Sequence, residues 1–386
     1  MKDLHICLNM VSDPTWSGGV LYIQNLVQAI ASLPIAEREN IKLTIALHKS
    51  NLHLAEPIKH QVNQIYERTI LDRGYSAMLK LLAGYLEFIP SNLLNPHAYD
   101  FVYPAWTAKR LPYQWAAWIP DFQHYYLPEL FSKKEISNRN AAFQKLADVA
   151  PIIILSSQMA QADFCHLYPQ ASDRSRVMQF ASFADLSWFT PNPQIVQSKY
   201  QLPAQFFLVS NQFWKHKDHG VVIEALGILK QCCIFPVVVC TGTVKDHRHP
   251  EYFDKLLHRV EELGLKQQFM VLGMIPRLDQ IQLMRTCLAV IQPSLFEGWS
   301  SVIEDARSLG KPVIASDFPV HIEQNLPNCQ FFERSNSEAL ASQISQAVLI
   351  LKSGVNQELE LLAQQDNKQR VMTYGRRFLE IVHSVV

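Results

Sequence analysis

The sequence is short of the features that announce several large classes of protein. Charge is balanced, with 35 Lys plus Arg against 35 Asp plus Glu over 386 residues, so there is no global basic field for nucleic acid or for adhesion to an acidic membrane. Any site for a charged ligand must therefore be local. The seven cysteines (Cys7, Cys165, Cys232, Cys233, Cys240, Cys287 and Cys329) are odd in number and scattered, with no CxxC pair and no Cys/His ligand spacing. That pattern argues against a disulfide framework and against a structural zinc site, and fits a reducing compartment. Neither half carries the dinucleotide pattern GxGxxG with its downstream acidic residue, which disfavours a NAD-dependent oxidoreductase. The N-terminus lacks a basic start, a long apolar stretch and a small-residue cleavage site, so it reads as a chain without a signal peptide. Long hydrophobic runs are missing as well. The most apolar segment, Tyr75 to Ile89, is interrupted by Lys80 and Glu87 and falls short of the roughly 20 residues a bilayer span needs. As a helix it gathers Met78, Leu81, Leu82, Tyr85, Leu86 and Ile89 on one side, a stripe suited to a core or to a membrane or acceptor surface. Both readings stand at this point.

What is present is a repeated grammar. Hydrophobic content is 48%, and short apolar runs of strand length alternate with helix-period segments, which predicts parallel sheets built from βαβ units. In the first half the expected strands are Leu4 to Met10, Lys42 to Leu47, Tyr99 to Tyr103, Trp115 to Ile119 and Ile152 to Leu155, with helices at Val20 to Ala31 and Ser157 to Tyr168. Residues 182–204 hold three prolines and no clear period, and read as an interdomain linker. The second half restarts with strands at Phe206 to Ser210, Phe235 to Cys240, Phe269 to Leu272, Leu288 to Gln292 and Pro312 to Ala315, separated by helices. The expected architecture is α/β, with two Rossmann-like domains (1–190 and 200–368) facing across a cleft and a C-terminal helix, 369–386, crossing back to the first domain. Open parallel sheets bind ligands at the carboxyl ends of their strands, which makes that cleft the default active site.

Six segments fall at such strand ends. In PSLFEGWSSVIEDARSLGKPVIASDFPVHIEQ (residues 293–324) a strand ends, a Glu-Gly turn follows and a helix starts at Ser300 or Ser301, aiming free backbone N–H groups where the helix dipole favours a phosphate. Glu304, one turn in, is placed to accept hydrogen bonds from ribose hydroxyls, but Ser301-Val302-Ile303-Glu304 also reads as a capping box in which Glu304 folds back on the Ser301 backbone. In NQFWKHKDHGVVIEA (residues 211–225), Lys217 sits on the turn before a helix and can meet a diphosphate and the charge that develops on a leaving group; its alternative is a solvated loop. Ser17-Gly18-Gly19-Val20 lies between the first strand and the first helix, where paired glycines let backbone approach a ligand or simply form a turn. In WIPDFQHYYLPELF (residues 118–131), Asp121 and His124 can bracket an acceptor hydroxyl, with His124 able to carry a proton near neutral pH; a structural His is the competing reading. Thr241-Gly242 and Gly273-Met274-Ile275 follow two strands of the second domain. Trp106, Trp115 and Trp118 suit sugar stacking or a core, and His247, Arg248 and His249 read as surface.

The 293–324 segment resembles the signature of the retaining nucleotide-sugar glycosyltransferases of the "group 1" kind (family four, GT-B fold), in the branch reading FEGWS, VIEDA, GKPVIASD and PVH. The resemblance extends over most of the chain. It implies that Glu297 contacts the transferred sugar, Glu304 the ribose, and the amides of Ser300, Ser301 and Val302 the diphosphate, with Trp299 in the intervening loop. Six residues separate the two glutamates where the family pattern has seven, so the loop around Trp299 must take a tighter path. Lys217 matches a family Lys, whereas Gln212 stands where the family has Arg. Gly18 and Gly19 match a glycine-rich loop over the donor phosphates, Thr241, Gly242, Gly273, Met274 and Ile275 the nucleobase pocket, and Asp121 an acceptor-side His-Asp pair in which Pro120 replaces the His and His124 stands three residues on.

Together these readings predict a retaining hexosyltransferase using a nucleotide-diphosphate sugar, with UDP-glucose or another UDP-hexose as the expected donor and a saccharide or lipid-linked saccharide as acceptor. No cofactor and no metal are expected, because there is no DxD element and Lys217 with helix-terminal amides would neutralise the diphosphate. The setting implied is envelope or exopolysaccharide assembly, cytoplasmic, with residues 75–90 as the peripheral membrane contact if their stripe faces a bilayer. A nucleotide-sugar epimerase or hydrolase on the same architecture, and a nucleotide-sugar-binding protein without turnover, remain as alternatives.

Overall fold

A computed structural model of the chain describes residues 3–11, 17–68, 98–106 and 113–386. The amphipathic stretch 75–90 lies outside them. The described residues divide into two compact units.

The first unit comprises Met1–Asp121, Ser137–Phe183 and Gln369–Val386. Its sheet has seven parallel strands: β1 (Leu4–Asn9), β2 (Ile41–His48), β3 (Gln64–Arg68), β4 (Phe101–Tyr103), β5 (Gln114–Ile119), β6 (Ile152–Leu155) and β7 (Ser175–Val177), in the order β3-β2-β1-β4-β5-β6-β7. The central strands are buried on both faces, as the unbroken run Ile152-Ile153-Ile154-Leu155 shows, because helices cover both sides of a parallel sheet. Helices α1 (Ser17–Ala31), α2 (Lys133–Val149) and α3 (Gln158–Leu167) fall between strands, and Ser157 caps α3 by accepting from the Ala160 N–H at 3.1 Å. The strands foreseen from apolar runs are all present, with ends shifted by a residue or two. The ones not foreseen, β3 (QIYER) and β7 (SRV), are edge strands. Edge positions carry polar side chains, so the hydrophobic run that marks a central strand is missing there.

The second unit comprises Phe122–Ile136 and Ala184–Lys368. Its six parallel strands, β8 (Phe207–Ser210), β9 (Val238–Thr241), β10 (Phe269–Gly273), β11 (Val290–Gln292), β12 (Val313–Ser316) and β13 (Cys329–Phe332), run in the order β10-β9-β8-β11-β12-β13. The helices are α4 (Pro193–Lys199), α5 (His219–Gln231), α6 (Tyr252–Glu262), α7 (Arg277–Thr286), α8 (Ser301–Ser308), α9 (Pro319–Glu323), α10 (Ser337–Ile350) and α11 (Gln357–His383). Both sheets thus have the doubly wound order expected of Rossmann-like units.

Two expectations about organisation need correction. Residues 182–204 are not a bare linker. From Ala184 onward they belong to the second unit, where Asn192 caps α4 and Trp188, Val196 and Leu202 are buried in the same cluster as Phe206 and Leu208. Pro193 takes the first position of α4, which breaks the period without making the segment free. Residues 122–136, expected within the 1–190 domain, group with the second unit instead. They are tied there by Arg248, whose Nε lies 3.3 Å from the Glu135 carboxylate and whose guanidinium sits 4.3 Å over the Phe131 ring, and by Tyr126 against Phe296. Arg248 is accordingly not the surface residue that its polar neighbours suggested.

The C-terminal part of α11, from Gln369, groups with the first unit. Phe378 packs on Phe101 and Tyr103, Tyr374 on Tyr22, and Arg376 pairs with Glu37 at 2.8 Å. Gly375 permits the close approach, since a Cβ there would lie 2.7 Å from the Ala29 carbonyl oxygen of α1. Replacing a mid-helix glycine by alanine ordinarily gains roughly 1 kcal/mol of helix propensity, while overpacking against backbone costs about 1–3 kcal/mol. Gly375→Ala should therefore lower the denaturant midpoint; a midpoint equal to or above that of the parent would show that the two helices can separate at little cost.

Candidate functional site

In the second unit the chain winds outward from β8 through β9 to β10, then returns to lay β11 on the other side of β8 and continues to β12 and β13. Loops leaving the carboxyl ends of β8 and β11 consequently diverge, and the crevice between such loops is where doubly wound sheets take ligands. Lys217 comes from the loop after β8 and Glu297 from the loop after β11.

The β8 loop closes in a 3₁₀ turn, Lys215–Lys217, followed by Asp218 in the left-handed region (φ 49°), whose carboxylate caps α5 by accepting from the Val221 N–H. The turn is fastened twice. The Lys215 N–H donates to Asp246 at 3.0 Å, and the His216 carbonyl accepts from the Leu295 N–H of the β11 loop at 2.8 Å. With both loops fixed, Lys217 Nζ stands 2.6 Å from Glu297 Oε1, the two side chains being 15% and 10% exposed. The same oxygen accepts from Gln292 Nε2 at 2.7 Å. Gln212 is half-buried on this loop, and Gly242 explains how the β9 loop nestles beside it: at φ 132°, a Cβ on Gly242 would come within 2.3 Å of the Asn211 carbonyl oxygen. The Gly242 N–H donates to the Gly273 carbonyl at 2.8 Å, so the β9 and β10 loops meet as well. Thr241 is buried, Met274 is 66% exposed and Ile275 is half-buried.

At the start of α8, Ser300 is the cap. Its hydroxyl accepts from the Ile303 N–H at 3.3 Å, and Trp299 beside it is buried at 8% exposure. Ser301 and Val302 are then the first helical residues, and Glu304 falls one position beyond the place a capping box requires. That alternative is thereby displaced. Glu304 is buried instead, receiving the Gln324 amide at 3.0 Å and pairing with Arg307 at 3.7 Å. Gln324 also brackets the cap residue, accepting from the Ser300 N–H at 3.2 Å and donating to its carbonyl at 3.0 Å.

Residues 194–357 match the family model described as "Glycosyl transferases group 1". This part of the chain is a group 1 glycosyltransferase domain. No curated protein sequence matches the chain. Among solved structures, HepE from Anabaena, in complex with UDP and glucose, is similar at a TM-score of 0.67 and 19% identity, covering 98% of this chain and 99% of that one. A glycosyltransferase from Rickettsia africae gives 0.66 at 15% identity, covering 100% and 99%, and sucrose-phosphate synthase from Thermosynechococcus elongatus 0.63 at 14%, covering 99% and 94%. At these identities the likeness establishes the fold, GT-B, over the whole chain.

Outside the group 1 domain the expected residues are placed differently from their sequence reading. Gly18 and Gly19 are not a loop ahead of the first helix but lie in its opening turn, where backbone N–H groups have no intrahelical partner in any case. Asp121 pairs with Arg139 at 3.6 Å in the first unit. His124 belongs to the second unit and is 2% exposed among the rings of Phe122, Tyr125 and Phe131, which favours a structural His over a proton carrier. Trp115 and Trp118 are core residues, Trp118 stacking on Tyr22, while Trp106 is 54% exposed.

The residues that sequence reasoning missed in the group 1 domain are Asn211, Gln292, Gln324 and His321, all buried. A polar side chain inside an apolar run such as VIQP was the available signal, since buried polar groups need partners. At His321 the partner pattern fixes the tautomer. The Ser316 hydroxyl donates to the Ser294 carbonyl at 2.6 Å, which leaves Nδ1–H of His321 to donate to the Ser316 carbonyl at 3.0 Å. Burial pushes this histidine down to about 4, partly offset by the Glu297 carboxylate, so the ring is neutral at pH 7. His219, stacked on Phe213 at 4.1 Å with neither ring nitrogen partnered among the described residues, is pushed down to about 3 by burial and by Lys217.

Depressed histidines of this kind carry a pH signature. The unfolded chain takes up the proton near pH 6.5 and the folded one only near 3, so the associated stability is present above 6.5 and is lost as pH falls toward 3. Thermal melting should drop between pH 7 and pH 5, and His219→Phe should show a smaller drop while melting no lower at pH 7. Equal drops in both proteins would place the acid sensitivity elsewhere.

Proposed function

We propose that the chain is a retaining hexosyltransferase that moves a hexose from UDP-hexose, glucose being the first candidate, to a saccharide or lipid-linked saccharide in envelope or exopolysaccharide assembly on the cytoplasmic face. The observation that supports this reading most is the Lys217–Glu297 pair at the switch point of a group 1 domain, beside the start of α8. One cation, one carboxylate and a set of free helix-terminal N–H groups are the complement of a nucleotide-diphosphate sugar.

In the proposed reaction Lys217 turns from Glu297 to the diphosphate and stabilises the charge that grows on it as the glycosidic bond breaks. The N–H groups of Ser301 and Val302 share that charge. Glu297 meets the sugar hydroxyls and the positive character of an oxocarbenium-like transition state, and the leaving phosphate takes the acceptor's proton on the same face, which retains the anomeric configuration. Glu304 is assigned to the ribose and the loops at Gly242 and Gly273–Ile275 to the base. Asp121, half-buried in the first unit, is a better candidate for the acceptor hydroxyl than the enclosed His124. The ligands named with HepE, UDP and glucose, suit the same donor class.

The direct test is release of UDP from UDP-glucose, UDP-galactose and UDP-N-acetylglucosamine, and of GDP from GDP-mannose, in EDTA and with a panel of saccharide acceptors. Acceptor-dependent release that persists in EDTA is expected; tight UDP binding without release from any donor would favour a binding protein. Lys217→Met and Glu297→Gln should each lower turnover at least 100-fold, about 3 kcal/mol in the barrier. Glu304→Ala should weaken UDP binding; unchanged UDP affinity with a lower melting temperature would assign Glu304 to packing against Gln324 and Arg307 alone.

A further inference from the structure

Gln292 ends β11 inside an apolar run and is 0% exposed. A buried primary amide needs an acceptor for each N–H and a donor for its oxygen, and here all are named. Asn211 Nδ2 donates to Gln292 Oε1 at 2.9 Å, which turns the NH₂ group toward Ser294 Oγ at 3.1 Å and Glu297 Oε1 at 2.7 Å. The amide orientation is thus imposed from the neighbouring β8 loop, and its second hydrogen is aimed at Glu297.

Glu297 Oε1 has a second donor, Lys217, at 2.6 Å. The two donors differ in kind. Lys217 is a flexible cation that a diphosphate attracts away, whereas Gln292 is neutral, enclosed and anchored to a central strand. A carboxylate only 10% exposed cannot lose every donor without a large desolvation penalty.

We propose that Gln292 is a positioning residue for Glu297, holding the carboxylate in place while Lys217 serves the donor diphosphate. The proposal rests on the reading of Glu297 as the group facing the transferred sugar, and extends it to a residue that touches no substrate. Asn211 acts one step further back, by fixing which way the Gln292 amide faces.

The tests separate this role from simple packing and from failure of the functional reading. In kinetics with the donor that turns over, Gln292→Leu should lower kcat roughly 10- to 100-fold, the effect of losing one hydrogen bond to a charged group, with KM for the donor changed less than about threefold. In a Glu297→Ala background the same substitution should change kcat by less than about twofold. An equal fall in both backgrounds, or a joint change in kcat and KM, would overturn the proposal. A second measurement needs no turnover. In crystal structures, Glu297 should remain hydrogen-bonded to Gln292 in Lys217→Met and leave that position in Lys217→Met/Gln292→Leu; an unmoved carboxylate in the double variant, or a displaced one in the single variant, would overturn it. Should no donor bind or react, the functional reading fails while these structures still decide what holds Glu297. If the double variant does not fold, the Lys217→Met structure alone carries the decision.

Discussion

An ammonium and a carboxylate 2.6 Å apart, both largely withdrawn from water, organise the second unit. Removing one partner of a pair this enclosed leaves a desolvated charge behind, which for Glu297 falls to its other donor, Gln292. The pair exists because parallel winding reverses direction between β8 and β11 and sends two loops apart from adjacent strand ends. Everything nearby serves to hold those loops: the Leu295 to His216 backbone bond, the Asp246 carboxylate under the Lys215 turn, and the Asn211–Gln292 amide contact.

Several polar groups around this pair are neutral. Burial strips His216, His219 and His321 of any charge at neutral pH, and the buried donors to the two glutamates of the signature include a glutamine each, Gln292 for Glu297 and Gln324 for Glu304. A neutral amide can satisfy a carboxylate without cancelling its charge. Lys217 and Glu297 form a local, balanced pair of charges, in keeping with a sequence whose overall charge is zero.

The organisation of the chain was legible wherever apolar periodicity was strong. Central strands, the helices between them and the two-unit division follow from alternation that burial on both sheet faces enforces. Legibility failed where the physical signal is weak or shared. Edge strands β3, β7 and β13 are mixed in polarity. The proline-rich stretch after 182 looked free because proline breaks periodicity, yet Trp188 and Val196 bury it. Residues 122–136 lie between two strands of the first unit in sequence, and only the contacts of Phe131, Glu135 and Tyr126 assign them to the second.

For the site, sequence by itself determined which residue types stand at which strand ends: a lysine after β8, a glutamate after β11, and a serine start to the helix that follows. Those are local facts, fixed by chain order and turn chemistry. Tertiary structure decided the partners. It set Lys217 on Glu297, made Ser300 rather than Ser301 the cap and so withdrew Glu304 from a capping box, enclosed His124 among rings, and brought Gln292 and Gln324 to the two glutamates. Hydrogen bonds between residues 80 positions apart, as between Lys217 and Glu297, depend on which strands become neighbours, and no local pattern in the chain specifies that.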